Sequence, residues 1–350
     1  MYLKGLCDFM DCRKDIKSLL LSELQEDFIS QKIEKYRAAQ VYSWLYKGVD
    51  DFDDMKNLPV TLRQKLDENY YIEKLTVKKK LVSKIDGTTK FLFETRDGEH
   101  VESVLMHYEH GDSACISTQI GCKMGCTFCA SSHLGFARNL TPSEMLSQID
   151  MISRECNCRV SNVVLMGIGE PLDNYDNVIK FLRLLNAPEG FNIGYRHISL
   201  STCGLCEKIG QLAEEKMPLT LSISLHAPFD EMRTKMMPVN KKYNINKLMD
   251  ACRSYLEVTG RRISFEYALI GGVNDSAECA EKLASLLKGM LCHVNLIPVN
   301  TVKESGYVSS TNQKEFISVL EKRGINVTVR RRMGADIEAA CGQLRRKTEG

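Results

Sequence analysis

The stretch Ala114-Cys-Ile-Ser-Thr-Gln-Ile-Gly-Cys-Lys-Met-Gly-Cys-Thr-Phe-Cys129 sets the pattern from which the fold of this chain can be predicted. Alternation of side chains near Cys115 to Ile120 predicts a strand, and a loop rich in glycine and cysteine follows it. A helix is predicted after this loop, with Thr141 as N-cap, Pro142 at the first helical position and Glu144 closing a capping box. Strand, loop and helix thus follow one another in the order that a parallel α/β sheet requires.

The same order of strand, loop and helix repeats along the rest of the chain. Further strands are predicted near Asn162 to Met166, His197 to Thr202, Leu219 to Leu225, Ile263 to Leu269, Cys292 to Pro298 and Asn326 to Arg330. Six or seven such strands favour an α/β fold with a partial (β/α)6 barrel, and an open doubly wound sheet is the competing architecture. In either case, reactive residues should follow the carboxyl ends of the strands.

Two smaller parts are predicted to precede the barrel. Residues 1–72 form a helical module, since Leu20 to Tyr70 has helical periodicity and Gly48 lies where a helix would end. Residues 73–107 form a β-extension, because Val77 to Phe93 contains two alternating runs joined at the turn Asp86-Gly87. The barrel and a C-terminal cysteine segment then occupy residues 108–345.

Composition narrows the class of protein. A chain of 350 residues with 43% hydrophobic content can bury one large domain and a small one, which disfavours a disordered chain. No run approaches the roughly 18 apolar residues of a membrane span, and the first residues show no export signal. We therefore expect a cytoplasmic monomer without membrane contact, in which 14 cysteines favour metal binding or catalysis over disulfides.

Basic residues are concentrated in two places, although the net charge is only +2. Between Leu75 and Lys90 there are five lysines against Asp86 alone, and the segment from Arg330 to Lys347 is rich in arginine. Such charge density suits the phosphates of a nucleic acid, and a solvated protein face is the alternative.

Three cysteines follow the first predicted strand at short spacing. Cys122, Cys126 and Cys129 form a C-x-x-x-C-x-x-C pattern, in which Gly121 and Gly125 let the backbone wrap closely around a bulky group. Structural zinc sites more often pair cysteines two residues apart and need a fourth ligand, so zinc is the alternative.

This pattern resembles the radical S-adenosylmethionine (SAM) superfamily, and the resemblance implies two cofactors. Cys122, Cys126 and Cys129 would hold a 4Fe-4S cluster whose fourth iron binds S-adenosyl-L-methionine. After Val163-Val-Leu-Met166, the turn containing Gly169 and Glu170 resembles the superfamily's site for the cofactor's amino group. It is not a dinucleotide fingerprint, since Leu172 replaces the third glycine. The resemblance also assigns cofactor contacts to Ser201, Ser224, Leu225 and His226.

A closer resemblance covers nearly the whole chain and rests on four motifs. They are Cys115-Ile-Ser-Thr-Gln-Ile-Gly-Cys122, Met166-Gly-Ile-Gly-Glu-Pro171, Ser222-Ile-Ser-Leu-His-Ala227 and Asp336-Ile-Glu-Ala-Ala-Cys-Gly-Gln-Leu344. They look like the RlmN and Cfr family of adenosine methyltransferases. The resemblance further implies that Asn300 binds the cofactor and that the helical module is an RNA-binding accessory domain.

The family resemblance implies a mechanism with two additional thiols. One SAM methylates Cys341, and a second is cleaved to a radical that abstracts hydrogen from the new methyl group. The resulting carbon radical adds to the adenine ring. Cys115 then attacks the Cys341 sulfur in a thiol-disulfide type step that releases the product. Glu102 is the implied proton acceptor, and Cys115 itself is the alternative acceptor.

Two branches of the family differ in the carbon that they methylate. One methylates carbon 2 of an adenosine in 23S rRNA, at the peptidyl transferase centre, and of the adenosine 3′ of the anticodon in tRNA. The other methylates carbon 8 and confers antibiotic resistance. Pro171 favours carbon 2, and an electron donor such as flavodoxin or ferredoxin is implied. A non-catalytic, metal-stapled RNA-binding protein and a radical enzyme acting on a peptide or metabolite are the remaining alternatives.

Overall fold

The computed structural model of the protein describes residues 13–132, 135–299, 306–339 and 342–344. The N-terminal part holds β1 (Lys14–Asp15), α1 (Leu21–Ser30), α2 (Lys35–Leu45), α3 (Val60–Asn69) and β2 (Tyr70–Tyr71). The two short strands pair in parallel. Leu24 and Phe28 lie four residues apart on α1 and are completely buried, so this amphipathic face forms the core of the module. The helices predicted between Leu20 and Tyr70 are therefore present.

Three antiparallel strands form the extension that follows. They are β3 (Thr76–Val82), β4 (Thr89–Glu94) and β5 (His100–Tyr108), and β5 also pairs with β6 (Gly111–Cys115). The predicted turn at Asp86-Gly87 joins β3 to β4, and Gly87 has a φ of +75° there. Glycine adopts this left-handed conformation without strain, which is why it can close the turn.

The barrel alternates strands and helices after β6. The remaining elements are β7 (Gln119–Gly121), β8 (Phe136–Asn139), α4 (Pro142–Cys156), β9 (Val160–Leu165), α5 (Tyr175–Asn186), β10 (Ile198–Thr202), α6 (Cys206–Glu214), β11 (Thr220–Ser224), α7 (Asp230–Met236), α8 (Ile245–Thr259), β12 (Ile263–Leu269), α9 (Ala277–Leu287), β13 (Cys292–Pro298), α10 (Gln313–Lys322) and β14 (Val327–Val329). The capping box predicted for α4 is formed, with Thr141 Oγ1 accepting from the Glu144 amide at 3.2 Å and Glu144 Oε2 accepting from the Thr141 amide at 2.8 Å.

One continuous sheet connects the extension to the barrel. Its strand order is β14-β13-β12-β11-β10-β9-β6-β5-β4-β3, and every neighbouring pair from β6 to β14 is parallel. The parallel strands follow their chain order in one direction, whereas a doubly wound sheet reverses its direction at a switch point. The predicted partial barrel is thus confirmed, and none of the described helices is long and apolar enough to cross a membrane.

The first predicted strand, Cys115 to Ile120, is wrong in its extent. β6 ends at Cys115, and β7 belongs to a separate two-stranded sheet with β8. Between them the chain bonds to the turn that follows β9: the Thr118 amide donates to the Ile168 carbonyl at 2.9 Å. The Ser117 hydroxyl accepts from the Ile168 amide at 2.9 Å. These bonds to the turn replace the regular ladder that the alternating pattern predicted.

Two buried carboxylates, Glu73 and Glu144, lie beside the half-buried Asp15 where the helical module meets α4. Glu73 is 4% exposed, and in the described part of the chain its Oε1 has no hydrogen-bond partner. Burial, with the nearby charges of Glu144 and Asp15, raises the pKa of Glu73 to about 7. Burial of the Glu73 side chain therefore costs least free energy when its carboxyl group is protonated.

Glu73→Gln should stabilise the protein at pH 8 and have little effect at pH 5. An acid whose folded-state pKa is raised favours folding below its unfolded pKa, and that stability is lost as the pH rises through the folded value near 7. The loss amounts to roughly 3 kcal/mol between pH 4.5 and pH 8. Thermal unfolding across this pH range measures it, with Glu68→Gln on the exposed face of α3 as the control. Equal stabilisation at both pH values would contradict the prediction.

Candidate active site

An open pocket lies at the carboxyl ends of the parallel strands, and the space within it and in front of it amounts to about 980 Å³. The cysteine loop, the glycine turn after β9 and the ends of β10 to β13 supply its walls. Concave sites of this kind, with a few convergent polar groups, are typical of small-molecule sites. The position agrees with the prediction that reactive residues follow the strands.

All three predicted cluster cysteines border this pocket. Cys122, Cys126 and Cys129 line it together, and burial raises the pKa of Cys122 to about 12. Gly121 and Gly125 have φ values of +75° and +73°, which let the loop turn sharply on either side of Cys122. In the ranges that the structure describes, no three His, Cys, Asp or Glu side chains converge on a single metal ion. A cluster of several irons lies between its thiolates rather than at one point, so the three cysteines suit it.

The glycine turn after β9 admits no side chain at two positions. Gly169 has a φ of +108°, and a Cβ placed there would approach the Cβ of Gln119 to 2.7 Å. A Cβ on Gly167 would meet the carbonyl oxygen of Ile116 at 2.6 Å. The turn therefore packs directly on the chain that leads into the cysteine loop.

Glu170 presents a buried carboxylate to the pocket. It is 4% exposed, and its Oε2 accepts from the Cys203 amide at 2.7 Å while Oε1 accepts from the Leu172 amide at 3.1 Å. Burial raises the pKa of Glu170. Each carboxylate oxygen can accept a further hydrogen bond. An ammonium group bound here would be paired with a charge and would favour the ionised acid.

Two hydroxyls stand at the ends of neighbouring strands. Ser201 on β10 and Ser224 on β11 both line the pocket, and their Oγ atoms are 3.3 Å apart. They can therefore donate together to one anionic group. Leu225 is not brought to the pocket wall: its side chain is buried in the hydrophobic core, and its carbonyl accepts from Arg233 at 3.1 Å.

His226 is a neutral hydrogen-bond donor at the pocket wall. Its Nδ1 accepts from the Ala268 amide at 2.9 Å, so the ring proton lies on Nε2. Burial lowers the pKa of His226 to about 3, with Arg233 adding to the effect. The edge of the ring packs on Phe128, with centroids 4.8 Å apart. His226 can thus orient a ligand, but it does not exchange protons near neutral pH.

Glu266 is a further carboxylate at this site, and none of the sequence motifs identifies it. Glu266 on β12 lines the pocket while only 3% exposed, and it accepts from Asn295 Nδ2 at 2.8 Å and from Ser264 Oγ at 3.0 Å. The polar residues Ser264 and Glu266 alternate with Ile263 and Phe265. That alternation is a signal that could have been noticed, because a strand buried on both faces is usually apolar throughout.

A second, smaller pocket adjoins the first and contains Cys115. The two share Met166, Ile297 and Arg330 as lining residues. Cys115 is buried and lies opposite Val104 in the β5–β6 register. Val104 also lines this second pocket, so the thiol faces the space next to the cofactor pocket.

Glu102 lies on the same face of β5 as Val104, and it is buried rather than exposed. Its Oε1 is 3.0 Å from Lys90 Nζ, and both side chains are about 95% or more covered. Lys90 Nζ also donates to the Glu338 carbonyl at 3.0 Å. The predicted proton acceptor is therefore a paired carboxylate beside the C-terminal segment. It does not line either pocket as the structure stands.

The C-terminal segment is held by the β3–β4 hairpin and by the end of the cysteine loop. The Gly334 amide donates to Asp86 Oδ2 at 2.9 Å, and the Ala130 amide donates to the Gly342 carbonyl at 2.8 Å. Cys341 and Asn300 lie outside the described residues. On either side of Cys341, Ala339 lines the second pocket and Gly342 lines the first.

A partial parallel barrel that carries a three-cysteine loop beside a glycine turn and a buried glutamate defines a radical SAM protein. The model of the Radical SAM superfamily matches residues 116–286, and that of the ribosomal RNA large subunit methyltransferase N-terminal domain matches residues 14–72. Two curated relatives named "Probable dual-specificity RNA methyltransferase RlmN" are 55% identical. The match to the relative from Clostridium novyi covers 95% of this chain and 98% of the relative. The match to the relative from Lachnospira eligens covers 95% of this chain and 96% of the relative.

A solved structure, a radical SAM methyltransferase from Sphaerobacter thermophilus, is 43% identical with a TM-score of 0.90. The similarity covers 95% of this chain and 100% of that one. The chain belongs to the RlmN family of radical SAM RNA methyltransferases. The family resemblance and the enzyme class predicted from the motifs are confirmed, in place of a metal-stapled binding protein.

Proposed function

We propose that this protein methylates carbon 2 of adenosine in 23S rRNA at the peptidyl transferase centre, and of the adenosine 3′ of the anticodon in tRNA. It does so with a 4Fe-4S cluster and two molecules of S-adenosyl-L-methionine, through an S-methylcysteine at Cys341. The observation that carries the proposal is the pair of adjoining pockets, one bordered by three thiols and Glu170 and the other by Cys115. The "dual-specificity" in the names of the relatives supports both RNA substrates.

The residues of the first pocket match the cofactors in chemistry. Cys122, Cys126 and Cys129 hold the cluster, and Glu170 accepts from the amino group of the bound SAM. The paired hydroxyls of Ser201 and Ser224 donate hydrogen bonds to the carboxylate of the bound SAM. Cluster and SAM, when bound, together supply the carbon radical that begins the reaction.

His226 and Gly169 complete the cofactor site in this proposal. The Nε2–H of His226 donates to an acceptor on the ribose or adenine, since Nδ1 is already occupied. Gly169 lets the backbone of the turn come close to the ligand. Asn300 contributes a further polar contact, as the family resemblance implies.

The two remaining thiols act on the methyl group. Cys341 carries it as a thioether, and the RNA base becomes bonded to that carbon. The radical adduct first gives up the ring proton and one electron, the electron passing to a one-electron acceptor such as the oxidised electron donor. The Cys115 thiolate then attacks the Cys341 sulfur: an S–S bond forms, the S–C bond breaks, and its electron pair takes up a proton from solvent at the carbon that becomes the product methyl. A dithiol reductant reopens the disulfide for the next turnover. The position of Cys115 beside Ala339 and Leu344 supports this exchange.

Glu102 accepts the ring proton in this scheme. Lys90 forms a buried ion pair with this acid, in which the carboxylate oxygens can accept a proton. The same lysine ties the acid to the backbone of Glu338, three residues before Cys341. The base and the methyl-bearing segment are therefore linked through one side chain.

The helical module and the β-extension make the contacts with RNA in this proposal. Lys78, Lys79 and Lys80 are exposed on β3, which is the edge strand of the sheet. Edge lysines also prevent strands of different molecules from pairing, so they serve two purposes. A one-electron donor such as flavodoxin or ferredoxin supplies the electron for each radical.

Product analysis tests the proposal. Anaerobically reconstituted protein with SAM and a reductant should convert adenosine in unmodified ribosomal RNA to 2-methyladenosine, detected by mass spectrometry of digested RNA. Cys126→Ala should lose the cluster and the product, whereas Cys252→Ala in α8 should retain both. 8-Methyladenosine would assign the protein to the antibiotic-resistance branch, and unmodified RNA would refute the substrate assignment.

A further inference from the structure

Arg233 on α7 is a completely buried arginine. Its Nη2 donates to the Cys203 carbonyl at 2.7 Å and to the Ser224 carbonyl at 3.2 Å. Nε donates to the Leu225 carbonyl at 3.1 Å, and Nη1 donates to Asn240 Oδ1 at 3.0 Å. These partners are all neutral, and the negative charge of nearby Asp230 reaches the guanidinium only through Asn240, which donates to Asp230 Oδ1 at 3.0 Å.

The guanidinium lies directly behind the wall of the cofactor pocket. Two of its carbonyl partners belong to Cys203 and Ser224, which line that pocket. Its helix also supports the cysteine loop, because the Thr127 amide donates to the Met236 carbonyl at 3.0 Å. Met236 packs in one apolar cluster with Cys126 and Cys203.

The contacts of α7 place the charge of Arg233 next to the cysteine loop. One face of the guanidinium is bonded to the Cys203 carbonyl, and Cys203 shares an apolar cluster with Cys126. Both residues are walled off from bulk water on the Arg233 side, because Arg233 is completely buried. A charge in such a poorly screened interior acts on the loop more strongly than a charge at the surface would.

A buried cation without a counter-ion is costly, since carbonyl hydrogen bonds satisfy its donors without neutralising its charge. A group that carries net negative charge in the pocket would offset that cost. An iron-sulfur cluster with three thiolate ligands is such a group, and it gains one more negative charge on one-electron reduction.

We propose that Arg233 is the counter-charge of the reduced cluster and that it raises the cluster's reduction potential. Arg233 is a positioning residue: it touches neither cluster nor substrate, and it also ties the ends of β10 and β11 together. No bond forms or breaks in the step that it favours, in which one electron passes from a one-electron reductant to the cluster. The inference rests on the proposed function, because that function requires the cluster.

A purely structural role for Arg233 makes a different prediction. If the residue only tied strand ends together, its loss would lower the melting temperature and leave the potential of any assembled cluster unchanged. The reduction potential therefore separates the two roles, and enzyme activity does not.

The test is a redox titration of the anaerobically reconstituted protein without SAM, with dithionite as reductant and electron paramagnetic resonance of the reduced cluster as readout. Arg233→Gln should shift the midpoint potential to a more negative value at unchanged iron content per protein. Arg233→Lys keeps the charge, so its potential should stay closer to that of the wild type even if its melting temperature falls. Lys235→Gln is the matched control, because it removes the same charge from an exposed position of α7.

An unchanged potential in Arg233→Gln with full iron content would overturn the inference and leave the proposed function intact. Should Arg233→Gln not fold, Arg233→Met replaces it. This change removes the charge while filling most of the buried volume and should shift the potential in the same direction, and an unchanged potential would again overturn the inference. Wild-type protein that takes up no iron or sulfide would refute the proposed function itself, together with the premise of this inference.

Discussion

Cys115→Ala protein is expected to accumulate as a covalent complex with its RNA. In the proposed mechanism the methyl-bearing Cys341 becomes bonded to adenine before Cys115 releases it. Removing the resolving thiol stops the reaction at that bond, because the alanine methyl cannot attack sulfur. Alanine leaves only a small void at a site that is 6% exposed, so the variant should fold and assemble its cofactors.

Denaturing gel electrophoresis with labelled RNA measures the adduct, and mass spectrometry of the digested complex locates its attachment. Cys292→Ala is the matched control, since Cys292 is also buried but stands at the amino end of β13, away from both pockets. It should turn over without a trapped species. Normal turnover by Cys115→Ala would show that the release step uses another group.

Gly169→Ala is expected to weaken SAM binding strongly and to slow methylation at limiting SAM. The left-handed φ of +108° disfavours any side chain, and the added Cβ would lie 2.7 Å from Gln119 Cβ. Relief requires the turn to move, and Glu170 moves with it because the two are adjacent. Strain of about 1–3 kcal/mol predicts a loss of SAM affinity between about fivefold and about 150-fold.

Equilibrium dialysis of labelled SAM with reconstituted protein checks this prediction. Gly210→Ala provides the comparison, because Gly210 lies in α6 with open space where a Cβ would be added. Alanine should raise the melting temperature there by favouring the helix, at about 1 kcal/mol, and leave SAM binding unchanged. Wild-type affinity in Gly169→Ala would show that the turn does not contact the cofactor.

Regular parts of the fold could be predicted from local patterns. β12 and β13 match their predicted ranges residue for residue, since alternating polar and apolar residues rich in β-branched and aromatic side chains define their extent. The structure of Cys115 to Ile120 was harder to predict. Its residues do alternate, but the backbone of this segment bonds to the turn at Gly167 to Gly169 and not to a regular strand. Which backbone a segment bonds to depends on residues about fifty positions away, and a local pattern does not contain that information.

The same limit applies to the candidate site. The three cysteines and Glu170 form short motifs whose chemistry can be recognised from spacing. Arg233 follows Asp230 and Glu231 on a polar helix and has the pattern of a surface residue. Lys90 meets Glu102 only through the β4–β5 register, in which Leu92 stands opposite Glu102. Buried charges of this kind are identified by tertiary structure and not by sequence pattern.

The anchoring of the C-terminal segment to the β3–β4 hairpin affects when the enzyme can become competent. The bond between Gly334 and Asp86 spans 248 positions, as does that from Lys90 to Glu338. During translation, the β3–β4 hairpin is synthesised well before the C-terminal segment that binds to it. The barrel strands are thus synthesised before Cys341, the thiol that we propose carries the methyl group.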